Sequence, residues 1–139
     1  MPKLSIKSIT TISHCDDRII TLMNEVIKRY DFTVISGHRT PSEQFALFEK
    51  GRQFIDGNWI VVDKKKVVTQ CDGTHNKSKH NELPSMAIDI APYPIDWQDL
   101  NRFIELSKIV KEEADKLGIK ITWGGDWTTF KDYPHYQIG

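Results

Sequence analysis

The sequence contains little cysteine, and its two cysteines are far apart. Cys15 and Cys71 form no Cys-x-x-Cys pair, which argues against a disulfide framework and against a cysteine zinc site. Two isolated thiols are typical of reduced cysteines in a chain made in the cytosol. Net charge is also lacking, since 19 Lys and Arg balance 19 Asp and Glu. A balanced chain has no electrostatic preference for nucleic acid or an anionic membrane.

Long apolar runs, internal repeats and low-complexity linkers are absent as well. Residues 1–7 contain no extended apolar segment, so we expect neither a signal peptide nor a transmembrane helix. The 139 residues are 39% hydrophobic and 27% charged, as in an ordinary globular domain. We therefore predict a single domain over residues 1–139, without a separate targeting domain.

Two helices are predicted in the first half of the chain. The first spans Cys15–Lys28, with Ser13 as its cap and Asp16 in the first turn, where a carboxylate suits the helix dipole. The second begins with Thr40-Pro41-Ser42-Glu43, which has the pattern of a capping box with proline at the first helical position. We expect this helix to stop at Gly51.

A third helix is predicted over Trp97–Leu117, with Asp96 as its cap and Gly118 as its stop. Its apolar residues recur at helical spacing, which indicates a face packed in the core and no chemistry. That face comprises Trp97, Leu100, Phe103, Ile104, Ser107, Val110, Ala114 and Leu117.

Residues 58–69 predict a hairpin whose solvated turn is the lysine run Lys64–Lys66. Strands and helices mix without a regular βαβ repeat, which predicts an α+β fold with a small antiparallel sheet flanked by helices. Four further runs, rich in β-branched, aromatic or other apolar residues, are predicted strands: Phe32–Ser36, Met86–Ala91, Ile119–Trp123 and Tyr133–Ile138.

One carboxylate interrupts a run that should be buried, Ala87-Ile88-Asp89-Ile90-Ala91. A buried carboxylate without a partner is costly, so Asp89 needs an arginine, backbone amides or a metal ion. His80 lies a short polar loop upstream and can reach the same point. His135 follows Asp132 by three residues. Alone, each residue also has an ordinary explanation, such as a solvated or packed histidine or a chance spacing.

Together these residues have the composition of a catalytic zinc site, which uses three ligands from His, Asp or Glu and leaves one position to water. Imidazole and carboxylate ligands suit zinc better than magnesium or calcium. Bound zinc lowers the pKa of its water to about 7. A further carboxylate, such as Asp132, would then serve as general base.

Five motifs follow one another along the chain: Ser36–Gln44, Ser78-x-His80, Ala87-x-Asp89, Trp123-Gly124-Gly125-Asp126-Trp127 and Asp132-x-x-His135. In this order they resemble zinc D-Ala-D-Ala carboxypeptidase-like peptidases, and within them the phage endolysins that are L-alanyl-D-glutamate endopeptidases. The resemblance runs from about Phe32 to Ile138, and it implies a Hedgehog/DD-peptidase-like fold.

By position, the resemblance implies that His80, Asp89 and His135 are the zinc ligands and that Asp132 is the general base. It implies that Arg39 stabilises the oxyanion, a role that suits a guanidinium. The ordinary alternative for Arg39 is a surface salt bridge. The chain departs from the compact family pattern in its longer linker between His80 and Asp89.

Several neighbouring residues have open roles. Ser78 is expected to support the His80 loop, and His38 and His75 lie outside the matched motifs, with His75 at most lining the cleft. Asp126 would bind the substrate amine or cap a loop. Three aromatic residues could form groove walls, although core packing is favoured for the first of them: Trp123, Trp127 and Tyr133.

The resemblance implies a zinc endolysin that cuts the L-Ala-D-Glu bond of the peptidoglycan stem peptide. Such a protein would be a monomer made in the bacterial host cytoplasm that reaches the wall through a membrane pore made by another protein. One alternative is a D-Ala-D-Ala carboxypeptidase or dipeptidase with the same metal and base. A second alternative is a non-catalytic, zinc-stabilised binding domain, which would need no base.

Overall fold

The computed structural model describes residues 2–139 and has an α+β fold, as the sequence predicts. Short 3₁₀ turns lie at Lys64–Lys66, Lys79–Asn81 and Gly124–Asp126. The helices are α1 Ile6–Ile12, α2 Asp17–Val26, α3 Pro41–Glu49 and α4 Leu100–Leu117. The strands are β1 Phe32–Ser36, β2 Arg52–Ile55, β3 Asn58–Val61, β4 Ala87–Pro92, β5 Ile121–Trp123 and β6 His135–Ile138.

The main sheet has the order β1-β4-β6-β5, and all its neighbouring strands are antiparallel. Strand β4 is buried along its whole length, because β1 and β6 flank it and α4 packs over it. Its Asp89 lies opposite Ser36 of β1 and opposite His135 of β6. The strand pairing therefore aligns three polar side chains across the centre of the sheet.

The hydrophobic core lies between this sheet and the helices α2 and α4. These helices contact each other, so the apolar face of each is removed from water. The core includes Ile19, Leu22, Met23 and Val26 of α2, Val34, Ile88, Ile90 and Tyr136 of the sheet, and Leu106, Val110 and Ala114 of α4.

The N-terminal region differs from the prediction. Ser13 is not the cap of α2, because it ends a preceding helix, α1, which the sequence reading missed. The cap is Asp16, whose carboxylate accepts a 2.9 Å hydrogen bond from the Arg18 amide. Strand β1 and the capping box formed by Thr40 and Glu43 are confirmed.

Helix α4 begins at Leu100, three residues later than predicted. Asp96 accepts a hydrogen bond from the Gln98 amide and closes a turn before the helix instead of capping it. The predicted core face is partly wrong, because Trp97 is 50% exposed. The stop at Gly118 is confirmed by its left-handed φ of 70°. The α4 residues that are buried are Phe103, Leu106, Ser107, Val110, Glu113 and Ala114.

The hairpin lies earlier than predicted, over Arg52–Val61, and forms a separate two-stranded sheet. Its turn is Asp56-Gly57, with φ values of 49° and 81°, which suits a two-residue loop between antiparallel strands. The lysine run Lys64–Lys66 is a 3₁₀ turn outside the hairpin. Within residues 2–139, no helix combines the length and the apolar character needed to cross a bilayer.

Candidate metal centre and active-site cleft

The side chains of His80, Asp89 and His135 meet in the interior, where they are 1%, 7% and 5% exposed. Nε2 of His80 and Nδ1 of His135 each lie 3.2 Å from Oδ1 of Asp89. The two ring nitrogens also lie 3.2 Å from each other. The three donor atoms therefore form an equilateral triangle. Among the described residues, this is the group whose donors could hold a metal ion.

The outer nitrogen of each imidazole has its own partner. Nδ1 of His80 lies 2.7 Å from the carbonyl oxygen of Gly37, and Nε2 of His135 lies 2.7 Å from Oε1 of Gln137. Because both partners accept hydrogen bonds, each outer nitrogen carries the proton. The inner nitrogens then direct their lone pairs at the Asp89 oxygen. Three lone pairs at this spacing require a cation or a proton between them.

A zinc ion fits this donor set. Tetrahedral zinc with nitrogen and oxygen ligands at about 2.0–2.1 Å separates neighbouring ligand atoms by about 3.3 Å. The observed separations of 3.2 Å match that value. The carbonyl of Gly37 and the amide of Gln137 are the kind of outer partners that orient metal-binding imidazoles.

Without a metal ion, a proton on His135 can take the same place. Burial lowers the pKa of His135, but hydrogen bonding and the charge of Asp89 outweigh it, so that the pKa is raised. Burial raises the pKa of Asp89, but the two histidines and Arg39 hold it well below its usual range. Asp89 is therefore ionised, and metal binding would displace a proton.

Asp132 lies beside the triangle without joining it. Its Oδ2 is 4.0 Å from Nδ1 of His135, and the side chain is 33% exposed to the cleft. Burial, followed by the charge of Asp89, raises the pKa of Asp132. A carboxylate that is near the donors, open to the cleft and easier to protonate than usual has the properties of a general base.

The position of Asp132 depends on Gly124. The Asp132 amide donates a 3.0 Å hydrogen bond to the Gly124 carbonyl. A Cβ atom at Gly124 would lie 2.3 Å from the Asp132 carbonyl oxygen, so only glycine allows this approach. At Gly125, a Cβ atom would likewise meet the Trp123 ring at 2.3 Å. The glycine pair thus allows Asp132 to pack against the end of β5.

Arg39 contacts Asp89 through the carboxylate oxygen that does not face the imidazoles. Its Nη2 donates to Oδ2 of Asp89 at 2.7 Å and to the Ser36 hydroxyl at 3.0 Å, and that hydroxyl donates to the same Asp89 oxygen. The Arg39 side chain is 18% exposed and lines the cleft, so the pair is not an ordinary surface salt bridge. Ser36 reaches Asp89 because a register shift between Val34 and Ser36 turns it toward β4.

A cleft of about 1120 Å³ opens above the triangle and is lined by Arg39, Asp132 and all three donor residues. Trp127 lies over His135, with ring centroids 5.2 Å apart, and it lines the cleft as predicted. Trp123 and Tyr133 do not line it. Trp123 is 6% exposed and stacks on Tyr136 in the core. Sequence reasoning missed two exposed aromatic residues of the lining, Trp97 and Phe130.

The remaining candidates lie apart from the donors. The His75 side chain is 94% exposed beside Asp72, and neither His75 nor His38 belongs to the donor group or lines the cleft. Asp126 pairs with Lys111 at 2.7 Å and is not part of the cleft lining. Ser78 accepts a hydrogen bond from the His80 amide, so it supports that loop as expected.

The long linker after His80 is anchored to the N-terminal region. Ser85, which is fully buried, donates from its amide to the His14 carbonyl and accepts from the Asp16 amide, each at 2.9 Å. The Met86 amide then returns to the Lys79 carbonyl at 3.1 Å. The extra residues therefore form a fixed loop that leaves His80 and Asp89 in reach of each other.

Three converging donors that could hold one metal ion, a separate carboxylate and an arginine lie in one cleft, an arrangement typical of mononuclear metal hydrolases. The profile of the phage L-alanyl-D-glutamate peptidase family matches residues 1–138. The chain belongs to this family.

Two curated relatives are similar to most of the chain. The L-alanyl-D-glutamate peptidase of Escherichia phage T5 is 33% identical over 112 residues, which cover 78% of this chain and 67% of the phage protein. The peptidoglycan L-alanyl-D-glutamate endopeptidase CwlK of Bacillus subtilis is 32% identical over 120 residues. That match covers 80% of this chain but only 62% of CwlK.

A solved structure has the same fold. The L-Ala D-Glu endopeptidase ChiX of Serratia marcescens superposes with a TM-score of 0.74, covering 98% of this chain and 89% of ChiX. At a sequence identity of 20%, this likeness establishes a shared fold and nothing further. The likeness supports the strand order that aligns β1, β4 and β6 around the donors.

Proposed function

We propose that this protein is a zinc-dependent peptidase that hydrolyses the L-Ala-D-Glu bond of the peptidoglycan stem peptide. The observation that carries the proposal is the triangle of His80, Asp89 and His135 beside a carboxylate that stays off it. Membership of the phage L-alanyl-D-glutamate peptidase family supports the bond assignment. The names of the T5 and Bacillus relatives agree with it.

In this proposal His80, Asp89 and His135 are the ligands. A zinc ion held there would polarise the scissile carbonyl and lower the pKa of bound water toward neutrality. Asp132, whose Oδ2 lies 4.0 Å from Nδ1 of His135, would accept a proton from water and pass it to the leaving amine. Its elevated pKa suits both transfers, because a base must also be able to give the proton back.

Arg39 is proposed to stabilise the negative charge that develops on the carbonyl oxygen. Ser36 and Asp89 engage the two N–H groups of Nη2, and Gln44 engages one on Nη1. A guanidinium has five N–H groups, so two remain for a substrate oxygen in the cleft. Fixed donors of this kind cost no reorganisation during the reaction.

The substrate is proposed to be wall peptide, bound by one copy of the chain without nucleic acid or insertion into a membrane. The cleft offers aromatic surface at Trp97, Trp127 and Phe130 for the stem or its sugar. We further propose that the protein is made in a bacterial host and reaches the wall through a pore formed by another protein. Residues 1–139 are proposed to act as one catalytic domain.

Mass spectrometry of digested peptidoglycan tests the assignment. Purified sacculi are incubated with the zinc-loaded protein, and the new chain ends are identified. We expect new N-terminal D-glutamate together with new C-terminal L-alanine. Release of free D-alanine would instead support the carboxypeptidase alternative, which uses the same ligands and base. It would overturn the bond assignment without overturning the metal site.

The non-catalytic alternative is tested with Asp132→Ala. A zinc-stabilised binding domain needs its ligands but no base, so this change would leave its function intact. In a peptidase, the same change abolishes wall lysis while zinc stays bound. Persisting lysis in the zinc-loaded variant would contradict the role of Asp132.

A further inference from the structure

Gln44 is a polar side chain that is fully buried, although it lies in a helix whose other residues are at least partly exposed. Helix α3 begins at Pro41, two residues after Arg39, so Gln44 lies in its first turn, five residues after Arg39. A buried amide is costly unless its hydrogen bonds are satisfied. Its partners therefore indicate why glutamine stands there.

Both ends of the Gln44 amide are engaged. Its Oε1 accepts a 3.2 Å hydrogen bond from Nη1 of Arg39. Its Nε2 donates to the Thr69 hydroxyl at 3.2 Å and to the Cys71 carbonyl at 3.1 Å. Thr69 and Cys71 both line the cleft. One side chain thus connects the guanidinium to the segment of the cleft wall that contains Thr69 and Cys71.

The segment around Gly73 packs closely on Gln44. At Gly73, whose φ is +91°, a Cβ atom would lie 3.0 Å from Cβ of Gln44 and 2.9 Å from the Pro41 carbonyl oxygen. The backbone of this segment therefore lies directly against the first turn of α3. The amide has little freedom to choose other partners.

The bond to Gln44 also fixes the plane of the Arg39 guanidinium. Ser36 and Asp89 hold only Nη2, and a group held at one nitrogen can still swing about that point. The bond from Nη1 to Gln44 supplies a second anchor. Two anchors set where the remaining N–H groups point, which is the property that an oxyanion donor needs.

We propose that Gln44 is a positioning residue that acts through Arg39, holding the guanidinium at a fixed angle to the cleft. Its effect on catalysis rests on the proposed function, whereas its effect on the order of Arg39 does not. Among the described residues, the hydrogen-bond partners of the Gln44 side chain are Arg39, Thr69 and Cys71 and not the proposed metal ligands, so its proposed role is indirect.

A double-mutant cycle tests whether Gln44 acts through Arg39. Gln44→Met keeps the length of the side chain and removes all three hydrogen bonds. We expect it to lower kcat about tenfold, in line with a lost hydrogen bond to a charged group, with KM changed less than about twofold. In an Arg39→Ala background, the same change should lower kcat less than about twofold. Equal losses in both backgrounds would overturn the proposal, since Gln44 would then act independently of Arg39.

Side-chain NMR supplies a readout that does not depend on activity. In the zinc-bound protein, the ¹⁵N signals of the Arg39 guanidinium should be sharp and slow to exchange, and in Gln44→Met they should broaden or exchange faster. Arg52 is the internal reference, because its guanidinium donates to the Phe48 and Thr69 carbonyls and not to Gln44. Arg39→Ala assigns the signal by its loss.

The controls separate positioning from general damage. Gln53→Met makes the same change on the exposed hairpin and should leave kcat and the Arg39 signals unaltered. Thermal melts and zinc content are compared for all variants. Unchanged Arg39 signals in folded, zinc-bound Gln44→Met would overturn the proposal. If the parent protein cleaves only D-Ala-D-Ala, the proposed bond is wrong and the cycle is run on that substrate.

Discussion

Arg39 and Asp89 share a 2.7 Å hydrogen bond between Nη2 and Oδ2, while Oδ1 of the same carboxylate faces both imidazoles. The two oxygens of Asp89 thus have separate tasks. One completes the donor triangle, and the other holds the guanidinium at the edge of the cleft. Asp89, the proposed ligand, and Arg39, the proposed oxyanion donor, therefore orient each other.

Arg39→Lys should lower kcat about 100-fold, because a single ammonium cannot contact Asp89, Ser36 and Gln44 while still presenting N–H groups to the cleft. Zinc content should stay the same, since the three donors are retained. Steady-state kinetics on a stem-peptide substrate and metal analysis measure both quantities. A decrease in kcat of less than about threefold would indicate that Arg39 forms a salt bridge but has no role in catalysis.

Asp132→Asn should reduce kcat by roughly 10²–10⁴-fold, the range expected for loss of a general base. The amide is nearly isosteric with the carboxylate and cannot accept the proton from water. Titration of the variant with zinc in a calorimeter should show that the metal still binds. Activity close to that of the parent protein would contradict the assignment.

The same substitution should stabilise the metal-free protein at neutral pH. Burial and the charge of Asp89 raise the pKa of Asp132, so the folded state disfavours the ionised carboxylate. An acid whose folded pKa is raised destabilises the fold above that pKa, and the penalty disappears below the unfolded pKa of about 3.9. In urea at about pH 7, the free energy of unfolding should therefore be larger for Asp132→Asn than for the parent protein. The difference between the two should vanish at about pH 3.

Removal of zinc should abolish activity, and added zinc should restore it. Binding to the folded state alone stabilises by about 2.7 kcal/mol when free zinc is at 100 times its Kd. The melting temperature should rise accordingly for the parent protein but not for His80→Ala, which lacks one donor. Full activity in the presence of a strong chelator would exclude the proposed mechanism.

Gly124→Ala should impair both stability and catalysis. The added Cβ atom would meet the Asp132 carbonyl oxygen at 2.3 Å, and overpacking of this kind costs about 1–3 kcal/mol. Displacement of Asp132 should also lower kcat. Gly118→Ala is the matched control, because its φ of +70° is strained for alanine but no atom of residues 2–139 lies within 4 Å of the added Cβ. It should lose stability and keep kcat.

Local patterns allowed part of this fold to be predicted. The capping box at Thr40 and the β-rich run at Phe32 depend on neighbours in sequence, and both were predicted correctly. The hairpin was misplaced, although Asp56-Gly57 carried the signal for its turn. The start of α4 was set too early because the apolar spacing extends to Trp97, which lines the cleft instead.

The sequence predicts only those site residues whose type and position themselves suggest chemistry. Asp89 is recognisable because a carboxylate interrupts an apolar strand. Ser36, which contacts Asp89, and Gln44, which contacts Arg39, are common polar residues without such a signal. Ser36 reaches Asp89 through a register shift, and Gln44 reaches Arg39 from within a helix. The backbone carbonyl of Gly37, which orients His80, carries no side-chain signal at all. The one available hint was that Gln44 precedes Leu47 and Phe48 by one helical turn.

The hairpin formed by β2 and β3 pairs with no strand of the main sheet within residues 2–139. At the base of the hairpin, the Val62 amide donates a hydrogen bond to the Gly51 carbonyl. Trp59 of the hairpin packs on Phe45 and Phe48 of α3. The chain leaves the cleft lining at Lys50 and returns to it at Val68. None of the three donor residues lies in this excursion, and it contacts the cleft wall through Arg52, which donates to the Thr69 carbonyl. The fold thus places the hairpin outside the sheet that positions the reactive groups.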